Sequence, residues 1–136
     1  MISSLRLRLL MAYLFALGFL SLNPWLRPDS HRVFDHDTFD LLITWDLVDH
    51  AIAYGLLAVL LLSVKPDWKN LSWIIPLAVL ASSTVGLSLE LGQLWLTSTR
   101  QFSWHDAYAN AFGSCLGALM FWGTRSLAHK IRIVYS

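Results

Sequence analysis

Four stretches of this chain are long enough and apolar enough to cross a lipid bilayer, and they limit the fold more sharply than anything else in the sequence. Leu9 to Leu26 carries no charge. Leu47 to Val64 carries only Asp49 and His50, both at its start. Leu71 to Leu89 is uncharged, and the apolar run resumes after Glu90 as far as Thr99. Ala107 to Thr124 is uncharged as well. A membrane helix needs about 20 predominantly apolar residues. In hydrocarbon each spanning segment must satisfy its own backbone hydrogen bonds, which an α-helix does. The sequence therefore predicts an all-α membrane protein, a four-transmembrane-helix bundle in one domain of 136 residues, with spans at 9–26, 47–64, 72–97 and 106–124. Pro76 falls in the first turn or two of the third span, where proline is tolerated.

Composition agrees. Only 14% of the residues are charged and 56% are hydrophobic, against about 25% charged in a soluble domain. The net charge of +1 comes without any basic stripe, which excludes a nucleic-acid partner. The single cysteine, Cys115, has no partner for an internal disulfide and sits in an apolar run, where a thiol reads as packing. All seven tryptophans fall near expected span ends: Trp25, Trp45, Trp68, Trp73, Trp95, Trp104 and Trp122. Tryptophan concentrates at the membrane–water interface, so these positions mark the boundaries independently of hydropathy.

Basic residues give the direction. Arg6, Arg8, Lys65, Lys69, Arg125, Lys130 and Arg132 fall on one side, and Arg27, Arg32 and Arg100 on the other. Lysine and arginine accumulate in cytoplasmic segments, which predicts both termini in the cytoplasm. The first run also has the basic start and apolar core of a secretory signal. Its only small-residue site, Ala16-Leu17-Gly18, lies inside the core, so the run is expected to stay as a helix. The outward loop before Trp45 holds Asp29, Asp35, Asp37 and Asp40 with His31 and His36. Its Asp35-His36-Asp37 stretch reads as a solvated loop, because spacing this loose is no metal signature.

Ionisable groups are costly in hydrocarbon and rarely lie there without a partner or a task. This chain gathers them toward one end of its helices. At about 1.5 Å rise per residue, His50 lies roughly 21 Å from the cytoplasmic end of its span, and Asn110 the same. Asp106 and Glu90 lie roughly 27 Å from theirs. Facing agrees with depth. Asp46, His50 and Tyr54 share one helix face, as do Gly86, Glu90 and Gln93, and as do Asp106, Asn110, Gly113 and Gly117. The Gly113–Gly117 pair lets two membrane helices approach closely, so that face should be buried. The expectation is a polar cluster near the extracytoplasmic ends of the second, third and fourth helices. Each of these residues alone could be a hydrogen bond that holds the bundle together. Their convergence at one depth points instead to a functional pocket.

The ordered set of these residues resembles the VanZ-like family of small bacterial membrane proteins. The pattern is Asp46-x-x-x-His50-x-x-x-Tyr54, then Glu90-x-x-Gln93, then Arg100, then Asp106-x-x-x-Asn110-x-x-Gly113-x-x-x-Gly117. It covers about residues 46–123. Leu47 stands where the family usually carries a basic residue. The resemblance implies a multi-pass protein of the bacterial cytoplasmic membrane, from a family associated with resistance to the glycopeptide teicoplanin.

Two functional readings follow, with a third beside them. In the first, Asp46, Tyr54, Gln93, Arg100 and Asn110 line an outward pocket for a membrane lipid, a lipid-linked envelope precursor or the glycopeptide. Arg100 then supplies a planar donor for phosphate or carboxylate, and Trp95, Phe102 and Trp104 form a rim. In the second, His50, Glu90 and Asp106 are the catalytic groups of an intramembrane hydrolase or transferase, with His50 as acid or base. No serine or cysteine nucleophile motif accompanies them. A divalent metal on His50, Asp46, Glu90 and Asp106 suits the residue types, but the spacing carries no metal signature, and the sequence assigns no cofactor. The third reading is a structural membrane subunit.

Overall fold

The computed structural model of the chain describes residues 4–23, 45–64, 71–96 and 102–134. These form four helices: α1 (Ser4–Leu22), α2 (Trp45–Val64), α3 (Leu71–Leu96) and α4 (Trp104–Val134). α1 begins before the expected start at residue 9, taking in the basic Arg6 and Arg8. It stops at Leu22, where the Asn23 N–H turns back to the Phe19 carbonyl at 3.1 Å. α4 starts where Ser103 caps it. The Ser103 hydroxyl accepts from the Asp106 N–H at 3.3 Å, and its carbonyl accepts from the Ala107 N–H at 3.2 Å. A serine cap satisfies amide donors that have no partner within the helix. α4 runs past residue 124 to Val134 because the segment from Arg125 contains neither glycine nor proline to stop it.

Three of the helices are long and apolar enough to cross a membrane: Ser4–Leu22, Leu47–Val64 and Ser72–Leu96. α4, expected to be the fourth span, does not reach that hydropathy. The physical reason is its inner face, where Asn110, Gly113, Ser114 and Gly117 replace leucine-like residues.

Burial follows the membrane pattern, with polar groups inside and apolar groups outside. His50, Ser82, Glu90, Gln93, Asn110 and Ser114 are buried. Phe15, Trp73, Leu77, Leu80, Phe112 and Met120 are exposed, each by more than half of its surface. A water-soluble monomer rarely presents so much contiguous apolar surface. The exposed set includes Trp73, Trp95 and Trp104 at helix ends, where tryptophan favours an interface, and Trp122 within α4.

The helices alternate in direction, and close contacts fix their register. Gly113 packs against Ala51, and Gly117 against Gly55, so α2 and α4 run parallel with their backbones touching. A Cβ added at Gly117 would lie 2.8 Å from the Gly55 Cα, nearer than real Cβ atoms come. Only glycine permits this approach, and close packing of small residues is what holds helices together in lipid. α3 runs antiparallel to both. The Ser82 hydroxyl donates to the Tyr54 carbonyl at 2.9 Å, and the Ser114 hydroxyl lies 2.9 Å from Ser82 Oγ, which ties α2, α3 and α4 at one level. Two apolar clusters flank this tie, one around Tyr54 and Leu57 with Leu10 and Leu17, the other around Leu62, Ile74, Ala78 and Ala118. Among the described residues, α1 packs on α2 and α3 but not on α4. The Tyr13 hydroxyl donates to the Ala53 carbonyl at 2.8 Å, and Gln93 Nε2 donates to the Ser21 carbonyl at 2.9 Å.

Candidate functional site

Beyond the serine tie, one turn from Tyr54 on α2 and two turns from Ser82 and Ser114 on α3 and α4, each of the three helices contributes an ionisable side chain. His50, Glu90 and Asp106 present nitrogen and carboxylate atoms that all lie within 4.8 Å of one another. Residues four apart stack on one helix face, so the groups below them support the three. Tyr54 lies under His50, with ring centroids 6.2 Å apart and planes at 21°. Gly86 lies under Glu90, and Asn110 under Asp106. Glu90 is 2% exposed and Asn110 1% exposed, so these two polar side chains lie in the interior. Asp106 is half-buried, in the capped first turn of α4.

Asn110 orients the imidazole. Its Oδ1 lies 2.9 Å from His50 Nδ1. An amide oxygen only accepts, so Nδ1 is the donor in this contact. His50 Nδ1 also lies 3.8 Å from Glu90 Oε1. The other end of the Asn110 amide packs against Gly86, where an added Cβ would lie 2.7 Å from Nδ2. Glycine at 86 is therefore what makes room for Asn110. Among the described residues, the buried Asn110 Nδ2 has no hydrogen-bond partner. A buried donor left without an acceptor costs about 1–3 kcal/mol.

A cavity of about 170 Å³ opens on the other side of His50, between α1, α2 and α3. Its polar lining comes from Ser21, Asp49, His50, Tyr54 and Gln93, with Leu17 and Leu20 completing the wall. A single water needs roughly 10–15 Å³ of such space, so the cavity has room for a small polar group. His50 thus belongs both to the three-residue cluster and to the cavity.

Of the residues read from the sequence as site candidates, His50, Glu90, Asp106 and Asn110 come together, while Tyr54 and Gln93 line the adjoining cavity. Asp46 lies in the first turn of α2, but its side chain is outside the described residues. Arg100 and the Asp35-His36-Asp37 loop also lie outside them. Sequence reasoning passed over Ser21 and Asp49, which line the cavity, and Ala51 and Gly55, which receive the Gly113–Gly117 face. The Ala51-x-x-x-Gly55 spacing was a readable signal for that contact. Ser103-x-x-Asp106 was likewise readable as a cap. Depth counting and facing put His50, Glu90 and Asp106 at one level, but which helix face meets which is not written in spacing along the chain.

Comparison with known proteins returned no match, whether among family models, curated proteins or solved structures.

Proposed function

We propose that this chain is a VanZ-like multi-pass protein of the bacterial cytoplasmic membrane, whose outward polar pocket binds an anionic envelope ligand. That ligand is a phospholipid headgroup or a lipid-linked cell-wall precursor. The observation that carries this reading is the burial of His50, Glu90 and Asn110 beside Asp106, next to a cavity lined by Asp49, Tyr54 and Gln93. Interhelical hydrogen bonds in membranes contribute only about 0.6 kcal/mol on average. The serine tie and the glycine face already join α2, α3 and α4, so packing alone does not call for ionisable groups at this level.

The four-span topology belongs to the same proposal. α4 turns Phe112, Leu116, Leu119 and Met120 outward and keeps its small and polar residues inward, as a lipid-facing helix does. Arg100, between α3 and α4, supplies the cation for a phosphate or carboxylate. A second reading is favoured by the hydrogen bond that holds the His50 ring. An imidazole held in one orientation suits acid–base chemistry on a lipid-linked substrate.

Direction is the most exposed part of the proposal. The seven basic residues assigned to the cytoplasm should place reporter fusions after Lys69 and after Ser136 on the cytoplasmic side. A periplasmic signal at either position would turn the polar end inward and remove the envelope reading.

A further inference from the structure

The geometry points to a divalent transition-metal site held by His50, Glu90 and Asp106. This goes beyond the envelope reading and stands or falls without it.

Three features carry the site. The first is the ligand set. One imidazole nitrogen and two carboxylates from three different helices lie within 4.8 Å of one another. That is the spacing of a site that closes slightly onto an ion at metal–ligand distances near 2.1 Å. The second is the support of the histidine. Metal-bound histidines donate their other ring N–H to an oxygen that fixes tautomer and orientation. The Asn110 Oδ1 contact at 2.9 Å from His50 Nδ1 fixes the ring in this way, on the side where Glu90 Oε1 lies 3.8 Å from the same nitrogen. The third is the partnerless Asn110 Nδ2, on a residue 1% exposed. Among the described residues no oxygen accepts from this N–H, which lies against Gly86, one turn below Glu90. A cation with three protein ligands has open positions, which water or a phosphate oxygen fills. Such an oxygen, brought in with the metal, is the missing acceptor.

Electrostatics points the same way. Glu90 is 2% exposed, and a second carboxylate lies within 4.8 Å of it. A dication placed between the two carboxylates is attracted to both. The mixture of one nitrogen and two oxygens selects the ion. Ca²⁺ and Mg²⁺ favour all-oxygen shells, whereas imidazole with carboxylate suits Mn²⁺, Fe²⁺ or Zn²⁺.

The test uses the full chain in detergent, purified without a polyhistidine tag and stripped with a chelator. Mn²⁺ and Zn²⁺ are each titrated into it. The wild type should bind one equivalent, and Glu90→Gln and Asp106→Asn should each weaken that binding by at least tenfold. Ca²⁺ should bind far more weakly than either metal. A second protein carries alanine in place of His31, His36, His105 and His129, so that His50 is the only one of the five histidines left. Loaded with Cu²⁺, it should show one coordinated imidazole nitrogen by pulsed electron paramagnetic resonance. This arm decides the matter even if a carboxylate variant fails to fold. The site is overturned by the absence of stoichiometric Mn²⁺ and Zn²⁺ binding, by full affinity in both carboxylate variants, or by loss of the imidazole signal in the His50-only protein. Stoichiometric binding by the wild type, weakened in the carboxylate variants and with no lipid present, leaves the site standing even if no envelope phenotype is found.

Discussion

Replacing Gly117 with leucine should remove most of the folded protein from the membrane. A Cβ at this position meets the Gly55 backbone on α2, with the Cα at 2.8 Å. Backbone cannot rotate away as a side chain can, so α2 and α4 must separate. Overpacking in cores typically costs about 1–3 kcal/mol, and a clash between backbones belongs at or above the top of that range. Whole-protein stability is only about 5–15 kcal/mol. Separation would also pull Asn110 away from His50, which it holds at 2.9 Å. Gly123→Leu is the internal control, since nothing lies within 4 Å of a Cβ there. Yield and monodispersity in mild detergent measure the effect. Equal yields for the Gly117 and Gly123 variants would show that α2 and α4 do not meet along this face.

Replacing Glu90 with glutamine should have the opposite profile: activity lost, protein retained. Glutamine keeps the shape and a carbonyl acceptor but loses the charge and the titratable proton. If Glu90 served only to hold the bundle, the change should cost roughly a kcal/mol or less, and function should survive. If the cluster binds or transforms a ligand, Glu90→Gln should abolish function while the protein inserts and purifies normally. The assay is glycopeptide susceptibility or envelope phenotype in a complemented deletion strain, with protein level measured in parallel. A fully active Glu90→Gln protein at normal level would remove any essential acid or charged contact at that position.

The two substitutions separate what hydropathy encodes from what tertiary packing adds. The helices were legible because an uncharged run of membrane length leaves the backbone one economical solution. Their inner faces were legible because period-3.6 spacing puts Glu90 with Gly86 and Gln93, and Asn110 with Gly113 and Gly117. What spacing along the chain could not provide was the pairing between helices. It is the meeting of Gly55 with Gly113 and Gly117 that sets the α2–α4 register and brings His50 beside Asn110. Only then do His50, Glu90 and Asp106 become neighbours. The hydropathy of α4 was harder to read for the same reason, since the small residues that let it pack closely also lower its apolar score. The pocket expected around Tyr54 and Gln93 did not include α1, because Ser21 and Leu20 come from a helix that carries no polar pattern of its own.

The central claim is that the polar groups of α2, α3 and α4 form one occupied pocket rather than separate packing contacts. An experimental structure of the chain in a lipid nanodisc tests it most directly. The account predicts that His50, Glu90 and Asp106 share a cavity open to the outer leaflet with Arg100, and that density fills it. His50 and Glu90 directed into lipid on opposite faces of the bundle, or a closed cluster with no opening and no density, would contradict it.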